Sequence, residues 1–209
     1  MAKDCIRLKN THIQNINFDE YFSIKTHENL LNVSKKSICL IEEEINSYGT
    51  GFLIKLLIPS VKKPLYGIIT NNHVLDSDFF NNNKTLKIYL NHVPEDPENS
   101  KDLDPLIINI NENNFVFTSE LLDVTFIQLN EKYLKNSKFD FLDIYNGDFD
   151  EEESVFIFQY PKRKLSYAVG YIEKSFGFNY FHNTSTDEGS SGSPLLNKHM
   201  EVIGIHRGD

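Results

Sequence analysis

The 209-residue chain has only two cysteines, Cys5 and Cys39. Two thiols cannot build a disulfide framework or a Cys-rich zinc site, and without an export signal they are expected to stay reduced. Long apolar runs are missing as well. The N-terminal MAKDCIRLKNTHIQ lacks the hydrophobic stretch of a signal peptide, and no run reaches bilayer-spanning length. The expectation is an intracellular protein, cytoplasmic or nuclear, that does not enter a membrane. Positive charge is in deficit, with 21 Lys and Arg against 30 Asp and Glu and a formal net charge of −9. Nucleic-acid binding needs a basic face to neutralise phosphates, so no such partner is expected. The clearest basic cluster, Lys162-Arg163-Lys164, follows Tyr160-Pro161 and reads as a solvated turn. There is no H-E-x-x-H, no paired-cysteine spacing and no G-K-[ST] loop, so no metal or organic cofactor is implied. No repeat of solenoid period occurs.

What the chain does have is core material. At 40% hydrophobic and 12% aromatic residues it suits one globular domain or two small subdomains, and it is too apolar to be disordered. Residues 1–36 read as an N-terminal extension ending in a short helix near His27 to Lys35. Short β-rich runs follow, among them SICLIEEEI (37–45), GFLIKLLI (51–58), YGIITNNHVL (66–75) and DVTFIQL (123–129). After the acidic YNGDFDEEES (145–154) a second set begins with VFIFQY (155–160) and ends with EVIGIH (201–206). Many short strands with Gly, Pro and Asn turns predict an all-β protein. The acidic loop divides the strands into two groups, predicting two packed β-barrels, 37–135 and 136–209. The GTG at 49–51 reads as a tight turn, and NNNK (81–84) and DFDEEES (148–154) as exposed loops.

Three residues fit one chemistry. His73 ends a β-branched run, where an imidazole is able to accept and return a proton. Asp123 opens an apolar strand, where a carboxylate is costly to bury unless something satisfies it, as an imidazole Nδ1–H does. Ser191 sits in GSSGSP with Gly189 two positions before it and Gly192 one after. A serine hydroxyl needs a base to become a nucleophile, and the developing oxyanion needs donors already aimed at it. The amides of Gly189 and Ser191 could supply them if Gly189 takes the positive φ that glycine tolerates. The order His, Asp, Ser is that of double-barrel proteases rather than of subtilisins or α/β-hydrolases. Each residue alone has a plainer reading: a surface histidine, a turn-capping aspartate, a solvated serine turn.

Together GTGFLIK, IITNNHVL, DVTFIQL and GSSGSPLLN…EVIGIHRG resemble the trypsin-like serine endopeptidases, in the branch of glutamyl endopeptidases and high-temperature-requirement proteases. The resemblance runs from Ser37 to Gly208 and implies two six-stranded antiparallel barrels of chymotrypsin type, the active site between them and a polypeptide substrate. In glutamyl endopeptidases a threonine five positions before the nucleophile and a histidine in GIH contact the acidic side chain preceding the scissile bond. Thr186 and His206 match them here, which implies a preference for Glu. The remaining histidines read as a loop residue (His92), a packed strand residue (His182) and a turn residue (His199).

Three features depart from the family pattern. Ser190 stands where secreted trypsins carry the aspartate that pairs with a new N-terminus. Val74 stands in place of a cysteine. The chain stops at Asp209, just past one wall of the specificity pocket, which implies an excised part or a different closure of the second barrel, with room for a fused module or partner domain. The alternatives are a protease-like domain that binds peptides without cutting them, and an esterase or small-amide hydrolase on the same fold.

Overall fold

The computed structural model describes residues 24–44, 47–59, 63–82, 85–91, 105–135, 138–147 and 153–208. Among them are seven strands that form one antiparallel sheet: β1 (Ile38–Glu44), β2 (Ser47–Leu56), β3 (Leu65–Thr70), β4 (Thr85–Leu90), β5 (Leu106–Asn109), β6 (Val116–Ser119) and β7 (Val124–Gln128). Their spatial order is β5-β4-β1-β2-β3-β7-β6. A second antiparallel sheet holds β8 (Ser154–Gln159), β9 (Ser166–Phe176), β10 (Asn179–His182), β11 (Pro194–Leu196) and β12 (Val202–Ile205), in the order β10-β9-β8-β11-β12. Three helices accompany them: α1 (Ile24–Ser37), α2 (Ser77–Asn82) and α3 (Glu131–Leu134).

The central strands are apolar on both faces, and the two-residue period explains why. On β1 and β2, Cys39, Ile41 and Leu53 point into the core of the first sheet with Ile68, Leu86 and Ile127. Their neighbours Ile38, Leu40, Phe52 and Ile54 point the other way and meet Phe156, Phe158, Tyr160 and Leu196 of the second sheet. The sheets are thereby joined by a shared hydrophobic layer. Leu30 of α1, 4% exposed, packs on the same layer. The chain changes sheet at residues 142–144, where Leu142 bridges to Ile54 and Ile144 to Val202.

The described strands divide seven and five, where the family resemblance implies six and six. β6 was too short and too polar to stand out in the sequence, and β10 and β12 end the second sheet without pairing to each other. GTG is not a turn, since Gly49, Thr50 and Gly51 lie inside β2. The glycines are required there by crowding. A Cβ on Gly49 would lie 2.8 Å from Val74 Cγ1, and one on Gly51 would lie 2.6 Å from Ile41 Cδ1. Residues 1–23, His92, Asn83-Lys84 and most of DFDEEES fall outside the described residues.

Candidate active site

β3 ends at Thr70, and the chain turns through Asn71-Asn72-His73, with the Val74 and Leu75 N–H groups both donating to Asn71 O. Val74 and Leu75 are buried and anchor that turn, while Asp76 Oδ1 accepts from Phe79 N–H and caps α2. His73 is thus held at the rim with its ring half-exposed. Asp123 lies one residue before β7 at φ 50°, a left-handed conformation that Asp adopts more readily than most residues. Its carbonyl accepts from Asn71 Nδ2 at 2.9 Å, which fixes the turn.

The Asp123 carboxylate is 5% exposed overall and well satisfied. His73 Nδ1 lies 2.8 Å from Oδ2 and 3.0 Å from Oδ1, and His73 N–H donates to Oδ1 at 3.0 Å. Arg207 Nε stands 3.5 Å from Oδ2 on an exposed side chain. This arrangement favours the tautomer with its proton on Nδ1 and leaves Nε2 as the acceptor. His73, Asp123 and Ser191 line one open cleft of about 1230 Å³ together with Asn72, Arg207 and Gly208. Among the described residues no hydrogen bond joins Ser191 Oγ to His73.

The loop before β11 has an unusual hydrogen-bond pattern. Asp187 N–H donates to Ser190 Oγ and Glu188 N–H to Asp187 Oδ1. Ser190 N–H reaches Asp187 O, Gly192 N–H reaches His206 O and Ser193 N–H reaches Ser190 O. From 187 to 193, only the N–H groups of Gly189 and Ser191 have no acceptor among the described residues. Gly189 and Gly192 have φ of 92° and 86°. A Cβ on Gly189 would meet Tyr160 O at 2.6 Å, and one on Gly192 would collide with Thr50 O. Glycine is therefore demanded twice, by φ and by space. Main-chain N–H groups left without an acceptor, two residues apart and beside a hydroxyl, are able to donate to an anion.

Thr186 and His206 line a second cleft of about 700 Å³, with His182, Thr184, Gly204 and Arg207 also on its wall. His182 is not simply packed in its strand. Its Nε2 lies 3.1 Å from His206 Nδ1, and its own Nδ1 pairs with Thr184 Oγ1. The cleft also carries Glu173, whose charge would oppose an acidic ligand.

The basic turn is not merely solvated either. Lys162 Nζ pairs with Asp187 Oδ2 at 2.6 Å, and Arg163 Nη1 pairs with Glu42 Oε1 at 2.6 Å while covering the Tyr48 ring. Lys162 and Arg163 both adopt positive φ. These partners lie far away in sequence, so composition gave no sign of them. Among the described residues no group of His, Cys, Asp and Glu could hold a metal, and no helix is long and apolar enough to cross a membrane.

Comparison with known proteins bears on the family and the fold. The family model for the trypsin-like peptidase domain matches residues 49–205. No curated protein matches the chain. Solved structures similar in fold include Deg5, at a TM-score of 0.60 and 16% identity, covering 90% of this chain and 87% of that one. The serine endoprotease from Yersinia pestis gives a TM-score of 0.60 at 13% identity, covering 90% of this chain and 58% of that chain. An inactive form of Rv3671c from M. tuberculosis H37Rv gives 0.59 at 14% identity, covering 88% of this chain and 80% of that one. The two curled antiparallel sheets are accordingly the half-barrels of a chymotrypsin-like fold.

Proposed function

The chain belongs to the trypsin-like peptidase domain family, which makes it a serine endopeptidase, and from that premise we propose a His73-Asp123-Ser191 triad acting through an acyl-enzyme. Ser191 Oγ attacks the peptide carbonyl while His73 Nε2 takes its proton. His73 then returns the proton to the leaving amine, and a water molecule activated the same way releases the acyl group. Asp123 fixes the His73 tautomer and stabilises the imidazolium that forms in each step. The amides of Gly189 and Ser191 receive the oxyanion. The observation that carries this reading is the loop that engages its other N–H groups and leaves those two unengaged beside Ser191. Contact between Ser191 and His73 then tightens when substrate fills the cleft, as is common for catalytic hydrogen bonds.

The experiment is fluorophosphonate labelling of wild type beside Ser191→Ala. Labelling that depends on Ser191 supports the triad, and labelling unaffected by the substitution removes it.

We further propose that the second cleft receives an acidic side chain, Glu above all, before the scissile bond. Thr186 Oγ1 and the His206 ring are donors suited to a carboxylate, and protonation of His206 adds charge assistance. Cleavage-site profiling of a proteome digest tests this. An excess of cuts after Glu supports it, and cuts after large apolar residues overturn it. The second reading is a domain that binds peptides without cutting. It is favoured by one observation, the lack of a Ser191–His73 hydrogen bond, and turnover of any peptide in a Ser191-dependent manner removes it.

A further inference from the structure

Thr50 lies in the middle of β2, fully buried in the first sheet, yet it bonds to residues just after β8 and in the loop before β11. Its N–H donates to Ser191 O at 2.8 Å. Its Oγ1 accepts from Tyr160 N–H at 2.9 Å and donates to Gly189 O at 2.7 Å. The direction of the hydroxyl proton is not free. Tyr160 N–H can only donate, so the threonine hydrogen must point at the Gly189 carbonyl. The Thr50 carbonyl in turn accepts from Thr70 Oγ1 at 2.7 Å, at the end of β3 where the turn to His73 begins.

Gly189 and Ser191 are the same two residues whose N–H groups are left without acceptors. Thr50 therefore holds the carbonyl of each residue whose N–H has no acceptor among the described residues. The peptide plane after Gly189 is fixed at both ends, its oxygen by Thr50 and its N–H, that of Ser190, by Asp187 O. The plane after Ser191 is fixed likewise, by Thr50 N–H and by His206 O. At positive φ, Gly189 has several backbone conformations within reach, and a rotation of its peptides would swing the amide away. Preorganised donors are effective because they need no reorientation as charge develops.

We infer that Thr50 is a positioning residue for the two oxyanion-binding amides, its side-chain hydroxyl holding Gly189 O and its main-chain N–H holding Ser191 O, and that the hydroxyl is the part a substitution can remove. The inference rests on the proposed catalytic reading of Ser191. It extends that reading to a residue in the other sheet, on a strand that carries no member of the triad.

The test compares Thr50→Ser with Thr50→Ala in the full chain, because both lose the methyl group and differ only in the hydroxyl. Thermal melting is measured for each, and kinetics on one peptide substrate are taken well below both transitions. The expected result is kcat down about ten- to a hundredfold in Thr50→Ala with KM changed less than about threefold, and Thr50→Ser within a few fold of wild type. A role confined to packing would instead lower the melting temperature of both variants and leave kcat per folded molecule unchanged. Equal kcat in the two variants overturns the inference. Wild type that neither labels at Ser191 nor turns over substrate would fail one step earlier, at the triad, so the two failures are distinguishable.

Discussion

His73 meets Asp123 twice, through ring Nδ1 at 2.8 Å from Oδ2 and through its main-chain N–H at 3.0 Å from Oδ1. The second bond orients the carboxylate, so that the first lies along one defined direction. Asp123→Asn would keep an oxygen for the main-chain N–H and turn an amide NH₂ toward Nδ1. An imidazole facing a donor puts its own proton on Nε2 and can no longer accept from serine. Asp123→Asn is therefore expected to fold normally and lose about 10³–10⁴-fold in kcat, with little change in KM. Steady-state kinetics with circular dichroism check it. A loss under about tenfold would mean that the carboxylate has no catalytic part.

The proposed substrate preference rests on a different pair. His206 Nδ1 faces His182 Nε2, so replacing His206 removes both the proposed donor to the ligand and one partner of His182. His206→Leu is expected to lower kcat/KM about tenfold or more for a peptide with Glu before the scissile bond. For a matched peptide with Ala there it should change little, since a site built to hydrogen-bond a group loses most on the substrate that carries it. Parallel losses on both peptides would place His206 in general architecture and not in recognition.

The parts of this molecule that were legible in the sequence are those written locally. His73 and Asp123 each sit beside an apolar β-branched strand, and Ser191 sits among glycines that φ demands, so their positions stood out. The strands with dense apolar or β-branched runs, such as Ile38–Glu44 and Val124–Gln128, stood out for the same reason. Val116–Ser119 and Pro194–Leu196 are three or four residues long and owe their conformation to neighbours supplied by other parts of the chain. Thr50, Tyr160 and Asn71 were invisible as site residues because their partners are 139, 110 and 52 positions away. A hydroxyl inside an apolar strand was the available signal for Thr50, since a buried polar group must find a partner.

Arg163 and Glu42 make the stability of the barrel contact dependent on acid. Burial works against ionisation of Glu42, but the hydrogen bonds from Arg163 and Tyr89 and the charges of Arg163 and Lys87 prevail, holding the carboxyl below its ordinary 4.5. A carboxyl lowered by folding stabilises the native state above its unfolded pKa, and that contribution is lost as pH falls through the folded value. Glu42→Gln is expected to be less stable than wild type at pH 7, by at most about 1 kcal/mol after solvent screening. The gap should begin to narrow below about pH 5, as the unfolded carboxyl takes up its proton, and close once pH has fallen through the lower folded value. Urea unfolding of both proteins across that range checks the sign. A gap that widens in acid would contradict it.

Cys39 reports on the opening of the first sheet. It lies on β1 between β2 and β4, paired with Gly51 and Leu90, and is fully buried. Burial pushes its thiol up to about 12 against a smaller opposing pull from a Gly51 backbone hydrogen bond. The thiolate is the reactive form, and burial keeps this thiol protonated. Reaching it requires separating β1 from a neighbour, which breaks a ladder and exposes the core on both faces of that strand. In a Cys5→Ser background, which removes the other thiol, Ellman's reagent is expected to find no reactive group in native protein and one per chain in denaturant. Native labelling should then proceed at a rate set by global unfolding and slow in step with added stability. Labelling at the rate of an exposed thiol would mean that β1 detaches locally, taking Leu40 away from Thr50.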